Sequence, residues 1–537
     1  MTNAYQVASL NVSLQSPAQP TCAPGPPSFP DVLASVATFA LAGVDSREVT
    51  VEVDVRRGLP AFSLVGLPDA SVREARERVR AALLNSGLDF PLQRITANLA
   101  PASVRKAGPS FDLAIAVGLL AAGGQVPPES LHDTALCGEL SLSGVLRPVR
   151  GTLAAAMGAK RAGYLRTIVP VENASEAALV EGLEVLGVPT LARLVDLLHD
   201  RWRPDPPERA SCRSPIPEDG PDMADVRGQA DAKRALEIAA AGGHNLLMVG
   251  PPGAGKTMAA RRMPGILPPP SFDEALEITR VHSVAGLGSG GLAAERPFRA
   301  PHHTVSAQGL VGGGARPRPG EVTLAHRGVL FLDELAEFSR VALEALRQPM
   351  EDGWVEIVRG QHAVSFPARA MLIGACNPCP CAQPARDCNC SESDRRRYQR
   401  RLSGPLLDRM DIVCQVSPPP AAELVAARPS TGERSATIRA RVVAARAAQR
   451  DRLGPMGVMC NADMDGRLSR VHAPVDGATA GRLVRGVESG ALSGRGHDRV
   501  LRLARTIADL DARGTVSAAD IDEALGYRLV TPSKVAA

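Results

Sequence analysis

The sequence predicts an α/β fold in several domains that gives way to helix near the C-terminus, and three observations carry that prediction. Short apolar runs of buried-strand length, at 245–249 and 328–332, end in Gly-rich or acidic residues and lead into new local patterns. Val49-Thr-Val-Glu-Val-Asp-Val55 alternates like a half-exposed strand, and helical spacing with abundant charge follows over 71–84. From 421 to about 532 the spacing is almost wholly helical.

Taken in order, residues 1–30 are rich in Ser, Pro and Gln and predict a disordered N-terminal extension or an over-long start. Residues 31–200 form an α/β unit, in which 94–99 reads as a further strand and 112–122 as an apolar helix. The stretch 201–221 is loaded with proline and charge and reads as a linker. A nucleotide-binding unit is expected over 222–417, closed by Ser417-Pro-Pro-Pro420, and a helical unit over 418–537. Within the last, Ser517-Ala-Ala-Asp520 has the spacing of a helix start.

Composition narrows the function. The 537 residues exceed one hydrophobic core and suggest about three or four domains. Aromatics are only 3%, which argues against broad base-stacking surfaces. A net charge of +4 gives no global nucleic-acid signature, so such a site would be local. No run approaches the ~20 apolar residues that cross a bilayer, and the apolar stretch 31–44 is short with no basic segment before it. A cytoplasmic location without a membrane partner is therefore expected.

Gly250-Pro251-Pro252-Gly253-Ala254-Gly255-Lys256-Thr257 lies between the apolar run 245–249 and a helix-like stretch at 258–262. That context gives the GxxxxGK[ST] pattern its meaning as a phosphate-binding loop. Its glycines let backbone N–H groups approach phosphate oxygens, and the following helix offers its positive end to the same anion. Lys256 is expected to reach the β- and γ-phosphates and Thr257 to hold Mg²⁺. The run 328–332 ends in Asp333-Glu334, where the first acid helps fix Mg²⁺ and the second orients the attacking water. A third apolar run, 370–375, is followed by Asn377, placed to position that water or touch the γ-phosphate.

Cys379-Pro-Cys381 and Cys388-Asn-Cys390 can supply four thiolates to tetrahedral zinc. Cys376 is an alternative ligand through a CxxC with Cys379, and a redox-sensitive cluster is an alternative reading of the set. Arg395-Arg-Arg-Tyr398-Gln-Arg-Arg401 reads as a solvated helix face or a phosphate contact, with Tyr398 as a stacking option. Arg409, between Asp408 and Asp411, is either a local ion pair or a finger toward a neighbouring subunit's γ-phosphate. Residues 354–358 and 363–366 read as a β-hairpin around Arg359-Gly-Gln-His362.

These residues resemble a known family. The order of phosphate loop, Asp-Glu strand, Asn strand tip, Gly-Pro-Leu-Leu-Asp-Arg and C-terminal helices resembles AAA+ ATPases. More narrowly, Leu64-Val-Gly-Leu-Pro-Asp69, Arg299-Ala-Pro-His-His-Thr304, Asn377-Pro-Cys-Pro-Cys381 and the segment 403–411 resemble the ComM/YifB group of magnesium-chelatase-related proteins. The resemblance implies a central AAA+ αβα domain, a helical lid over 418–537, and a homohexameric ring with ATP and Mg²⁺ between subunits. It also implies Asn377 as first sensor, Arg409 as trans-acting finger, and Arg495 as second sensor with Arg499 as competitor. The hairpin would face the pore, with Arg359 and His362 toward DNA phosphates. The unit 31–200 is similar to the proteolytic domain of Lon-type proteases. Ser110 stands in the nucleophile's place, but Leu153 stands where the lysine base belongs, so a non-proteolytic role is implied. Ala382 also stands where relatives usually carry glycine. The implied function is an ATP-driven DNA motor of helicase or branch-migration type, working beside recombination proteins in natural transformation. The rivals are a chelatase-like remodeller that does not act on DNA and an ATP-dependent protease.

Overall fold

The structure, a computed structural model, describes residues 33–208, 220–288, 291–314, 317–359, 362–383, 388–402, 404–419, 432–489 and 492–529. The expected N-terminal extension, most of the linker, the hairpin turn Gly360-Gln361 and the loop 384–387 lie outside the described residues.

The N-terminal unit is built on strands β1 (Leu33–Ala42), β2 (Asp45–Arg56), β3 (Ala61–Val65), β4 (Arg94–Ala100), β5 (Thr134–Leu136), β6 (Arg166–Pro170) and β7 (Glu184–Val188). They form one seven-stranded sheet in the order β3-β4-β2-β1-β5-β6-β7. The apolar stretch at 31–44 is thus an inner strand, paired antiparallel to β2 from Leu33↔Asp54 to Ala42↔Asp45. Helix α1 (Ala75–Asn85) follows β3, and α2 (Asp112–Ala122) is buried on almost every side. That burial is why its sequence shows no polar face. α2 covers one face of β1 and β2, against Val36 and Val53, while α3 (Thr152–Ala162) covers the other, against Phe39. Helices α4 (Val171–Ala177) and α5 (Leu191–Leu198) complete the layers.

The second unit begins with α6 (Ala230–Gly242), β8 (Leu246–Val249), α7 (Lys256–Ala260) and α8 (Phe272–Ala285). Next come β9 (Phe298–Arg299), α9 (Ala307–Val311) and a small hairpin of β10 (Gly312–Gly313) and β11 (Arg318–Pro319). Strand β12 (Val329–Leu332) precedes α10 (Arg347–Asp352), which leads into a second hairpin, β13 (Trp354–Arg359) with β14 (His362–Pro367). Then follow β15 (Met371–Cys376), α11 (Glu392–Gln399), α12 (Gly404–Leu407) and β16 (Ile412–Gln415). The sheet is five-stranded and parallel, in the order β9-β12-β15-β8-β16. Its inner strands are fully buried, so they read as unbroken apolar runs rather than alternations. The register pairs Val249 with Cys376 and Leu332 with Gly374. Three strand ends therefore meet at one edge, where a parallel α/β sheet places its ligands.

The remaining helices are α13 (Ser435–Leu453), α14 (Gly466–His472), α15 (Gly477–Glu488), α16 (Gly494–Leu510) and α17 (Ala518–Leu529). The expected helix start at Ser517 forms: Asp520 N–H donates to Ser517 Oγ (3.4 Å), and Ser517 N–H donates back to Asp520 Oδ2 (2.7 Å). α13 and α16 pack on α6, so these helices share a core with the parallel sheet.

The two α/β units also share a core. Ala275 of α8 and Leu292 pack with Phe39, Leu153 and Ala156 of the N-terminal unit. Ser283 Oγ donates to Glu176, Gly151 N–H donates to the Ser283 carbonyl (3.2 Å), and Arg280 pairs with Asp45 (3.2 Å). No described helix is long and apolar enough to cross a membrane.

Candidate functional site

Gly250 ends β8 where a Cβ would sit 2.0 Å from the Val416 carbonyl, so only glycine lets the chain turn beside β16. Gly255 holds φ +88° and starts α7, a left-handed conformation that side chains disfavour. The loop curls around Lys256, whose Nζ donates to the carbonyls of Gly250 (2.6 Å) and Pro251 (2.9 Å) and to Asn377 Oδ1 (3.2 Å). Burial pushes the Lys256 ammonium below the ordinary lysine value, while Cys376, Asp333 and Glu334 pull it back up. Thr257 Oγ1 donates to Asp333 Oδ2 at 2.7 Å. A hydroxyl and a carboxylate in contact beside a phosphate loop are the donor set that Mg²⁺ takes together with phosphate oxygens, so these residues fit that ion.

Glu334 leaves the strand with φ +51°, a strained conformation for a side-chain-bearing residue. Asp333 Oδ1 accepts the Glu334 N–H at 3.0 Å, and His303 Nδ1 lies 3.4 Å from Glu334 Oε2. His303 sits beyond β9, the strand next to β12. Sequence reasoning gave it no role, although a His-His doublet after a short strand was the available signal. The phosphate loop, Asp333, Glu334 and Asn377 line one cleft of about 440 Å³, large enough for a nucleotide. The strand order explains the convergence: β15 lies between β8 and β12, so Asn377 falls between loop and acids.

The expected arginines lie elsewhere. Neither Arg409 nor Arg495 lines this cleft. Arg409 Nη2 pairs with Glu351 Oε1 at 2.5 Å, and Arg495 Nη1 lies 3.5 Å from the same oxygen. Arg409 is thus ion-paired, though with Glu351 of α10. Arg499, the competitor of Arg495, instead pairs with buried Asp411 at 3.1 Å within its own chain. Sequence reasoning missed Glu351, which carries no local motif.

The four cysteines Cys379, Cys381, Cys388 and Cys390 bring their sulfur atoms within 4.8 Å of one another. Cys379 lies 3.4 Å from Cys381 and 3.6 Å from Cys388, near the ~3.8 Å edge of a tetrahedron with 2.3 Å zinc–sulfur bonds. Cys376 is not in this group: it is buried at the end of β15 and lines the nucleotide cleft. Burial pushes its thiol up to about 12. The Gln383 backbone, with neighbouring thiols, holds Cys381 down at about 6, and Arg395 Nη2 donates to Cys388 Sγ at 3.3 Å. The chemistry of this set fits a divalent, thiolate-preferring metal.

Two expectations need correction or qualification. Tyr398 is buried in the core beneath α11 and cannot stack on a base. The arginine run is partly engaged within the chain, with Arg396 on Glu392 and Arg401 on Glu337. Arg359 and His362 form the last registered pair of the β13–β14 hairpin.

Family models describe the chain in three consecutive parts. Residues 222–424 match "Magnesium chelatase, subunit ChlI", 51–173 match "Subunit ChlI of Mg-chelatase", and 432–528 match the ChlI C-terminal model. The chain is 41% identical over 504 residues to "Competence protein ComM" of Haemophilus influenzae, covering 92% of this chain and 97% of that one. It is 42% identical over 503 residues to the uncharacterized protein YifB of Escherichia coli, covering 93% and 97%. The chain belongs to the ComM/YifB family of magnesium-chelatase-related AAA+ proteins. An uncharacterized protein of Mycobacterium tuberculosis is similar at 46% over 496 residues, covering 91% of this chain and 97% of that one. A shorter likeness, 32% over 98 residues and 18% of this chain, links this ComM/YifB member to Lon protease 2 of Bacillus subtilis. AAA+ proteins of the magnesium-chelatase family are ATPases, which agrees with the cleft described above.

Proposed function

We propose that this chain is an ATP-hydrolysing ring motor, a homohexamer of helicase or branch-migration type acting on DNA in homologous recombination during natural transformation. It would work in the cytoplasm beside recombination proteins. The observation that carries this reading is a division of labour. Lys256, Thr257, Asp333, Glu334 and Asn377 share one cleft, while Arg409 and Arg495 are gathered together away from it. A pocket that lacks its arginines is completed when a neighbouring subunit supplies them. The relative called a competence protein supports the biological setting.

In this mechanism the loop from Gly250 to Thr257 holds the triphosphate of ATP, and Lys256 balances charge on its β- and γ-phosphates. Thr257 and Asp333 would hold Mg²⁺, which supplies positive charge to the phosphate oxygens. Glu334 orients water for attack on the γ-phosphate, Asn377 fixes its approach, and the neighbour's Arg409 and Arg495 stabilise the charge that develops. Arg359 and His362 on the hairpin contact DNA phosphates. Cys379, Cys381, Cys388 and Cys390 would hold zinc, which would cross-link the loop that begins at Asn377. The N-terminal unit would not act as a peptidase. Leu153 is fully buried in the place of the expected lysine, and among the described residues no side-chain base is hydrogen-bonded to Ser110.

The family models' chelatase name favours a second reading, a remodeller that does not act on DNA. An ATPase and strand-displacement assay on single-stranded, duplex and four-way-junction DNA separates the two. The motor reading expects DNA-stimulated turnover and assembly with ATP, both abolished in Lys256→Ala, with turnover lost in Glu334→Gln. A protein that stays a single subunit with ATP and DNA present would contradict the motor reading.

A further inference from the structure

Glu351 carries no role in the reading above, yet its carboxylate is the meeting point of two arginines from distant parts of the chain. Arg409 follows α12, whereas Arg495 begins the helix α16. Both reach Oε1 of Glu351, at 2.5 and 3.5 Å. The Arg409 hydrogen bond, assisted by Arg495 and Arg347, holds the Glu351 carboxyl below its ordinary value. Glu351 itself is about half exposed and Arg495 mostly exposed, whereas Arg409 is buried (8%), so the carboxylate joins a buried guanidinium to an exposed one at the edge of the core.

The position of Glu351 in the chain adds a second fact. It lies one residue before the end of α10, and Gly353 alone separates that helix from β13. Gly353 caps the helix with φ +69°, and Ala368 N–H donates to its carbonyl at 2.8 Å. The base of the β13–β14 hairpin is thus fastened to the end of the helix that carries Glu351. Farther up, Ile357 of β13 lies against Gly312 of the small β10–β11 hairpin. This short, closed connection joins both hairpins to the helix that carries Glu351.

We propose that Glu351 is a positioning residue: it holds Arg409 and Arg495 as a pair and releases them to the neighbouring subunit's triphosphate when the β13–β14 hairpin engages DNA. This rests on the ring-motor reading. The physical basis is competition for the same donors. A guanidinium committed to a carboxylate is not free to make the same hydrogen bonds to a phosphate, and the more highly charged triphosphate is the stronger acceptor. The Glu351–Arg495 contact is exposed enough to be exchanged, and buried Arg409 can give up the carboxylate only for another anion, which a triphosphate supplies. Movement of α10 would tip the balance without any change in the cleft that binds the nucleotide.

The test is Glu351→Gln, which keeps the shape and removes the charge. Turnover is measured with and without a single-stranded oligonucleotide, together with KM for ATP and the melting temperature. The expected result is DNA-free turnover raised roughly threefold, a stimulation ratio that falls toward one and an unchanged KM, with a lower melting temperature because buried Arg409 loses its carboxylate. A purely structural role would move the melting temperature and leave the ratio. DNA-free turnover that is unchanged or lowered in Glu351→Gln overturns the proposal. Glu351→Ala, which removes the side chain beyond Cβ, is measured in parallel and must move turnover in the same direction. Arg409→Ala tests the ring reading separately: normal turnover in that variant defeats the finger assignment, whatever Glu351 does. If DNA fails to stimulate the unaltered protein, the DNA reading fails, while the DNA-free turnover of Glu351→Gln still decides the competition.

Discussion

Arg495 and Arg499 lie four residues apart on α16, about one helical turn, and the structure gives them opposite consequences on removal. Arg499 is 12% exposed and pairs with Asp411 Oδ1 at 3.1 Å. Asp411 Oδ2 accepts the Asn245 N–H at 3.1 Å and faces His244 Nδ1 at 3.6 Å. Burial alone would raise the Asp411 carboxyl, but His244 and Arg499 hold it below the ordinary value. Arg499→Leu leaves that buried charge without the guanidinium that lies 3.1 Å from it. Loss of one member of a buried pair costs about 3–5 kcal/mol, and the surviving Asn245 and His244 contacts favour the low end. A loss of about 3 kcal/mol lowers the melting temperature of a unit of 150–250 residues by roughly 6–12 °C. Arg495 is 71% exposed, so Arg495→Ala changes stability by no more than about 0.5 kcal/mol. Its turnover should instead fall on the order of a hundredfold, as for loss of one transition-state donor. The assay is thermal unfolding of both variants beside steady-state ATPase and nucleotide binding. Adding Asp411→Asn to Arg499→Leu should recover part of the lost stability, because no buried charge is then left unpaired. The reasoning fails if Arg499→Leu melts normally without turnover while Arg495→Ala turns over normally; the two roles would then be exchanged.

Three further outcomes follow from particular residues. Ala382 sits at φ +58° in the cysteine loop, so Ala382→Gly should stabilise the metal-loaded protein by about 0.5–1 kcal/mol, the left-handed strain less the added chain entropy; a lower melting temperature would contradict this. Elemental analysis should find about one zinc per chain, lost in Cys388→Ser, and a stable metal-free protein would refute the four-thiolate assignment. Glu176 lies between the two α/β units, where burial raises its carboxyl above the ordinary value despite hydrogen bonds from Ser283 and Leu153. Its folded form therefore holds a proton above pH 4.5 that the unfolded chain has lost, and stability falls as pH rises through that window. Glu176→Gln should flatten that decline and melt higher than the unaltered protein at pH 8, by an amount that shrinks toward pH 4.5; equal melting curves at every pH would exclude a charge penalty there.

The parts of the fold that were legible in the sequence were those written in local pattern. The runs at 245–249, 328–332 and 370–375 each coincide closely with a strand, because inner parallel strands are buried on both faces and leave no polar interruption. The hairpin around Arg359 and His362 was legible from its two alternating arms. What escaped was tertiary. Nothing local marks β15 as the strand between β8 and β12, and β9 is only two residues long. The arginine-rich helix α11 hid a buried face: its charges suggested a solvated face or a phosphate contact, but Tyr398 is buried in the core. His303 and Glu351 escaped for a related reason. Each is defined by a residue far along the chain, Glu334 in one case and Arg409 in the other.

The N-terminal unit shows how such distant contacts bear on function. A serine peptidase needs a base beside its nucleophile and an open path for a polypeptide. At the position expected for that base, Leu153 is buried, and its N–H donates to Glu176 Oε1 at 2.9 Å. Glu176 in turn receives Ser283 from α8, and Ala275 of the same helix joins the apolar cluster around Leu153. The face that would hold the lysine is therefore committed to the ATPase sheet's own helix. Restoring a lysine there would bury an ammonium in an apolar seam, next to a carboxyl that burial already disfavours as a charge. The leucine at 153 and the docking of α8 support each other: the apolar side chain joins the seam, and the seam holds the N-terminal unit against the helix of the parallel-sheet unit.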